Sequence, residues 1–532
     1  MDRRTFLQAG VGIVGTALVA GKIAGTRQGS DTQSFEPLGS VDVPGAADAA
    51  VGEHDEFVYV AAEDGFAVVD ITTPDSPEVV AERRDIETET DDPLGQVWDL
   101  WPWNDRLVVG GPAQGARSSA HGFALFDISD PRNPQQITFF DAGKPGITEG
   151  GHYIHNSYFE DGIVYLTGSG IREHPLVMID VSDDDPEEVG RWSIIDYDPD
   201  LSEIPFQMRP IHDVYVQDDI AYLPYWDAGT WIVDVSDPAD PTVLSRVGDY
   251  ELEALRAFQE SDAQVEAFIP PGNAHYAQVN EDGSILAVGE EAWAMEDGGE
   301  LRGGPGGVKL YDVTDKTEPE FLTRIEAPES FGQTRDKWFT TAHNCDIVGD
   351  RLYTSWYYGG VKIHDVSDPE NPEELAWWRN PRDASFWTAQ SAGDVFVGSS
   401  ANVSEKIRSD ALNETAGRLY VFPAHAGEQP DPPSLTDRPA DLFGEGDGDT
   451  EDSEGQESDG QESDERESDD EQDDSVGGSE SGETANETTD ERGEDDDSDS
   501  VDSFGPGFGV AGTIAGVGGY YLLSQRRRDD SE

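Results

Sequence analysis

Through the middle of the chain, apolar residues fall in short runs that end on an aspartate and lead into a polar, proline-containing turn. The runs are Ala67-Val68-Val69-Asp70-Ile71, Ala124-Leu125-Phe126-Asp127-Ile128, Val177-Met178-Ile179-Asp180-Val181, Trp231-Ile232-Val233-Asp234-Val235, Val308-Lys309-Leu310-Tyr311-Asp312-Val313 and Val361-Lys362-Ile363-His364-Asp365-Val366. A degenerate seventh copy is Arg418-Leu419-Tyr420-Val421-Phe422. Short runs rich in β-branched and aromatic residues, bounded by turn residues, read as strands. Six copies enter a Ser- or Thr-containing turn that ends in proline, as in Ser129-Asp130-Pro131-Arg132-Asn133-Pro134. Such residues fix φ and bond side chain to backbone.

Three spacings between successive aspartates are 53 or 54 residues, and the largest, 78, contains an insertion. Each unit offers four strands: one carrying an Asp or Gly turn and Val-Tyr-type residues, its hairpin partner, the motif strand, and an outer strand such as Val243-Leu244-Ser245-Arg246-Val247. The pattern predicts an all-β fold over residues 35–425, a seven-bladed β-propeller of four-stranded antiparallel blades. A two-sheet sandwich has no need of seven equivalent units. The seventh unit lacks an outer strand, because Phe422 runs into Pro423. Residues 35–43 look like an outer strand detached from its blade and compare with residues 319–325. The N-terminal strand is therefore expected to complete blade seven and to leave no blade edge unpaired. Over residues 35–423 the unit resembles the LVIVD repeat, named for its apolar-plus-Asp strand; the resemblance implies a surface protein and assigns no activity.

Charge changes the picture of where such a propeller lives. The chain holds 112 Asp and Glu against 34 Lys and Arg, a formal charge of −78. Residues 441–502 carry 29 acids against Arg466 and Arg492, which leaves −51 for the rest. The folded body is itself acidic and repels itself in dilute buffer; molar salt shortens the screening length to about 3 Å and removes most of that penalty. The composition reads as haloarchaeal, and nucleic acid is a poor partner for this charge. The single cysteine, Cys345, excludes an intramolecular disulfide framework.

Both ends read as addresses. Residues 1–28 open with Arg3-Arg4-Thr5-Phe6-Leu7 ahead of the weakly apolar run Val11 to Ala20, which resembles a twin-arginine export signal. No cysteine follows that run, so a bacterial-type lipobox anchor is not expected there. Residues 504–532 place Pro506-Gly507-Phe508 before an apolar stretch, Val510 to Leu523, and the cluster Arg526-Arg527-Arg528. The order resembles a PGF-type sorting signal, which implies recognition by an archaeosortase and replacement by a lipid anchor; a plain membrane helix leads to the same location. Residues 426–503 are rich in Asp, Glu, Ser and Gly, with Phe443 their one aromatic, and read as a disordered acidic stalk. Asn402, Asn413 and Asn486 stand in glycosylation sequons.

Aligning the units on the turn of their first strands puts Ala49, Trp98, His155, His212, His275, His343 and Trp387 in one register. The first strand of a propeller blade lines the central channel, so this column is expected on one ring near one channel mouth, with Ala49 leaving a gap for solvent or ligand. Loops have grown at the same end, at residues 143–151, 196–209, 249–272 and 327–340, the third opening with the helix-prone stretch Glu251 to Glu260. Middle-strand loops add Tyr225, Trp226, Asp227, Glu290, Glu291, Trp356 and Tyr357, which with Trp98 and Trp387 form the expected ligand mouth.

Two functions fit. The leading one is a cell-surface binding or interaction module, whose partner is an extracellular protein or glycan, besides the export and sorting machinery and the membrane itself. The alternative is a metal-dependent enzyme, an oxidoreductase among the options, with His155, His212, His275 and His343 around a transition metal, since imidazole suits Zn, Cu, Fe and Ni. That alternative is loosely similar in architecture to the copper-dependent methanethiol oxidase propellers. Against it, repeats inherit the same side chain, and each imidazole can simply bond a neighbouring backbone group. No catalytic residue is assigned, and no nucleotide-binding glycine pattern is present.

Overall fold

The computed structural model describes residues 33–443, except positions 91, 115–119, 143–152, 170–172 and 407–411. The export and sorting segments and most of the stalk lie outside the described residues. Among those described, no helix is long and apolar enough to cross a membrane.

Seven four-stranded antiparallel sheets succeed one another along the chain. Blade one is built from Ala46–Val51, Phe57–Ala62, Gly65–Asp70 and Glu78–Arg84, innermost strand first. Blades two to six occupy residues 100–141, 153–192, 215–247, 274–325 and 345–378. Blade five carries an additional hairpin, Ala294–Asp297 with Glu300–Gly303, between its second and third strands. Blade seven combines Phe386–Ala392, Val395–Ser400 and Arg418–Pro423 with the N-terminal strand Gly39–Asp42 as its outer edge. The register there is Gly39 opposite Val421 through Asp42 opposite Arg418, and Arg418 Nε donates to Asp42 Oδ1 at 2.7 Å. The ring is thus closed by pairing the two ends of the domain, as the sequence pattern predicts.

The motif aspartates explain the repeat locally. Asp70, Asp127, Asp180, Asp234, Asp312 and Asp365 each accept the backbone N–H of the Ser or Thr two residues on, at 2.7 to 3.0 Å. These side-chain turns lead the chain from the third strand to the outer one. In the first six blades the outer strand also bulges against the third strand just before the aspartate, for example at Val80 opposite Val68 and Val69 and at Leu244 opposite Ile232 and Val233. One extra residue at a fixed place increases the local twist, and the same twist recurs around the ring. The degenerate copy has Phe422 and Pro423 where the others have aspartate and its turn, and the neighbouring outer strand comes from the other end of the chain.

Residues 426–443, which composition assigns to the stalk, lie against the propeller. Gly427 N–H donates to Leu375 O at 3.0 Å, and Phe331 N–H to Leu435 O at 2.9 Å. Leu435 is buried, and the Phe443 ring packs 5.1 Å from Phe331 and 5.9 Å from Trp338. Two apolar anchors suffice to seat this segment, although its average composition is polar. The insertion at 249–272 forms two short helices, Leu252–Leu255 and Glu260–Glu266, instead of one over 251–260; neither has a side-chain N-cap.

Candidate functional site

The column residues sit where the innermost strands begin. In blades three, five and seven the ladder leaves the column residue unpaired, between Ile154 and Ser157, Ala274 and Tyr276, and Phe386 and Thr388, whereas in blade one the irregularity between Ala46 and Ala49 falls just before Ala49, which is paired. In blades two, four and six the strand proper starts just after Trp98, His212 and His343. A residue outside the ladder is free to aim its side chain away from the pleat.

Six of the seven column side chains meet in a closed ring. Ring centroids are 6.0 Å apart for Trp98 and His155, 4.5 Å for His155 and His212, 3.4 Å for His212 and His275, 4.9 Å for His275 and His343, 4.4 Å for His343 and Trp387, and 5.8 Å for Trp387 and Trp98. All six are buried. The gap expected at Ala49 is therefore shut: the two indoles touch across it, because an indole is long enough to bridge a blade that contributes only a methyl group. Lys406 caps this contact, with Nζ 4.7 Å above Trp98 and 5.8 Å above Trp387. Glu63 Oε2 holds both the Trp98 indole N–H, at 2.9 Å, and Lys406 Nζ, at 3.5 Å.

Backbone carbonyls set the imidazole tautomers. Nδ1 lies 2.8 Å from Ala113 O in His155, 3.0 Å from His275 O in His212 and 2.8 Å from Trp387 O in His343. A carbonyl oxygen only accepts, so each Nδ1 carries the proton and each Nε2 a lone pair. Burial keeps these rings neutral, depressing His155 to about 4 and His343 to about 3; His212 and His275 are pushed well down by burial and by neighbouring imidazoles.

The nine residues expected at the mouth are all buried, and the structure divides them. Trp98 and Trp387 belong to the ring. Glu291 and Tyr357 reach it: Glu291 Oε2 lies 3.2 Å from His275 Nδ1, and Tyr357 Oη donates to Glu291 Oε1. Trp226, Asp227 and Glu290 line a separate cavity between blades four and five, with Lys309 and Tyr311, open to about 10 Å³ of a water-sized occupant. That is roughly one water molecule. Tyr225 donates to His174 O at 2.8 Å and Trp356 to Thr354 Oγ1 at 2.7 Å, both within the packed interior. The insertions 249–272 and 327–340 pack over these residues: Phe268 lies edge-on to Trp226, and Arg335 stacks 4.5 Å from the Trp293 ring; the loop at 143–151 lies outside the described residues.

The four histidines form a chain of contacts, and among the described residues those that draw donor atoms together are His275, Glu291 and His343, one from each all within 4.8 Å of one another. Sequence reasoning placed Glu291 on the rim and the histidines on the column without joining them. It missed Arg335 and Lys406, which lie in segments outside the repeated strand pattern, and Asp48, one residue before the column.

Asp48 belongs to a second polar layer. Asn344 Nδ2 donates to Asp48 Oδ1 at 3.0 Å, Asn156 Nδ2 to Asp213 Oδ1 at 2.9 Å, and Ser157 Oγ to Asp99 Oδ2 at 2.9 Å. Burial raises all three carboxyls, Asp213 to about 8, and Asp99 is raised further by its neighbours Asp48 and Asp213. Between about pH 4, where an unfolded aspartate titrates, and about 8, the folded state holds the extra proton, so Asp213 lowers stability as pH rises through that window. Replacing Asp213 with Asn keeps an acceptor for Asn156 and removes the titration. Urea unfolding at pH 5 and pH 8 should show a smaller loss for Asp213→Asn than for the wild type, by at least about 1.4 kcal/mol, the equivalent of a tenfold change in proton affinity; equal losses contradict the assignment.

A closed seven-bladed β-propeller, its channel plugged by a ring of histidine and tryptophan side chains, is the class of protein that fold and site define. Residues 46–82 and 210–249 match the LVIVD repeat family, so the chain carries LVIVD repeats. Among solved structures, the β-propeller domain of Cps50 (Swd1) from Myceliophteria thermophila is similar, with 8% sequence identity and a TM-score of 0.47, covering 73% of this chain and 99% of that one. None of the curated proteins compared matches the chain.

Proposed function

We propose that this protein is an exported propeller, anchored at the cell surface through residues 504–532, that acts as a protein-interaction module. The observation that supports this most is the sealed mouth. The column side chains are buried in contact with one another, and the insertions 249–272 and 327–340 pack beside them through Phe268 and Phe339, so a partner meets the outer surface of the loops. That surface carries the additional hairpin Ala294–Gly303, with Leu301 exposed, and the helix Ile194–Tyr197, with Tyr197 exposed against Trp231. Apolar side chains on projecting loops of an otherwise hydrated acidic body are points where a partner protein gains contact.

Location and contact are tested separately in intact cells kept in molar salt. Wild-type protein should be digested by external protease, and the Arg3→Lys/Arg4→Lys variant should stay inside and be protected; a protected wild type overturns the export reading. Surface cross-linking of the wild type should give a discrete partner adduct that disappears when Ala294–Gly303 is shortened to a two-residue turn. An unchanged adduct in that variant, or none in the wild type, removes the loop face as the interaction surface.

A further inference from the structure

The contacts around His275 do not close as hydrogen bonds. His343 donates Nδ1–H to Trp387 O at 2.8 Å, so its Nε2 presents a lone pair. That Nε2 lies 3.2 Å from His275 Nε2. Glu291 Oε2 lies 3.2 Å from His275 Nδ1 without the alignment of a hydrogen bond, and that nitrogen has no hydrogen-bond partner among the described residues. A neutral imidazole has one N–H for these two contacts. Placed on Nδ1, it leaves two lone pairs facing each other at Nε2. Placed on Nε2, it leaves a lone pair against Glu291 Oε2 whenever that carboxyl, raised by burial to about 7, is ionised. A buried polar group left in this state is costly, and a cation held among these three side chains, whose donor atoms lie within 4.8 Å of one another, removes the conflict.

We propose that His275, His343 and Glu291 bind one late divalent transition-metal ion, of the zinc or cobalt type, with a fourth position open to water. Two imidazole nitrogens at tetrahedral bond lengths lie about 3.3 Å apart, and the two Nε2 atoms stand at 3.2 Å. The carboxylate supplies the third donor within the same 4.8 Å cluster. Each ligand is oriented from behind, as metal ligands are. Trp387 O fixes the His343 tautomer. Tyr357 Oη occupies Glu291 Oε1 and leaves Oε2 for the ion. His212 stacks on His275 at 3.4 Å, and its Nδ1–H bonds the His275 carbonyl. Arg335, stacked on Trp293, adds positive charge near His275 and Glu291. The site therefore selects an ion held by imidazole nitrogen and excludes calcium and magnesium, which depend on oxygen ligands and charge. His155 has its own carbonyl partner and is separated from His343 by two intervening rings, outside the cluster.

The probe is Co²⁺, added to the full chain in molar KCl after chelator treatment and removal of excess ion by gel filtration. The wild type should retain about one Co²⁺ per chain, with the intense visible absorption of a four-coordinate nitrogen-ligated site. His275→Ala and His343→Ala should lose that band and at least tenfold in affinity, and His155→Ala should keep both. Folding of each variant is read by circular dichroism. Should an alanine variant fail to fold, His343→Gln serves, since its amide can still donate to Trp387 O. Tyr357→Phe, which leaves all three ligands in place, should keep the band and weaken binding about tenfold or more. A folded wild type that retains no cobalt, cobalt held with only the weak six-coordinate spectrum of surface carboxylates, or a band unchanged in the His275 and His343 variants overturns the proposal.

Discussion

A chain lacking residues 35–43 should not reach the native propeller. Its far-ultraviolet circular dichroism should lose the cooperative unfolding transition in molar KCl, and the protein should aggregate. The deleted segment is the outer strand of blade seven, paired from Gly39 to Asp42 with residues 418–421, so its loss exposes an unpaired strand edge. It also removes Phe35, which is fully buried and stacks on Phe422 at 6.0 Å and Phe396 at 6.3 Å. The strand therefore holds the ring through both backbone and core. The milder variant Phe35→Ala leaves the backbone pairing and should cost about 3–5 kcal/mol. Urea unfolding that finds either variant as stable as the wild type would show that the ring does not depend on this closure.

Lowering salt should be nearly as damaging. From molar to about 0.1 M KCl the screening length grows from about 3 to about 10 Å, and the thermal midpoint should fall by roughly 10 °C or more. The basic side chains that could offset this are already engaged: Arg84 with Asp64 and Glu82, Arg256 with Glu203 and Glu253, Arg302 with Glu266 and Asp297. Exposed pairs of this kind contribute about 1 kcal/mol or less each, while the surplus of acids remains. Because −51 of the charge lies outside residues 441–502, a chain truncated after Phe443 should keep most of the salt dependence. Equal midpoints at both salt concentrations would refute the argument; a truncated chain with no salt dependence would relocate it to the tail.

What could be read from the sequence alone follows from what each repeat must encode for itself. Every blade needs its own turn, and the Asp with a Ser or Thr two residues later is a local hydrogen bond, so it recurs visibly at Asp70, Asp127, Asp180, Asp234, Asp312 and Asp365. Blade number, the missing outer strand and its replacement from residues 35–43 follow by counting those units. The register of the histidine column followed too, because equivalent positions on equivalent strands occupy equivalent places on the ring. Only the tertiary structure decided what the column does. Whether Ala49 leaves a gap depends on how far Trp98 and Trp387 reach across it and on Lys406, which belongs to a different loop. Whether four histidines share one point depends on the ring diameter and on which nitrogen each backbone carbonyl claims. Glu291 joins His275 and His343 from a middle-strand loop, and residues 426–443 are held by Leu435 and Phe443 against a polar background. Such contacts form between segments with no common period, where side-chain length and available volume choose the partners, and a one-dimensional pattern contains neither quantity.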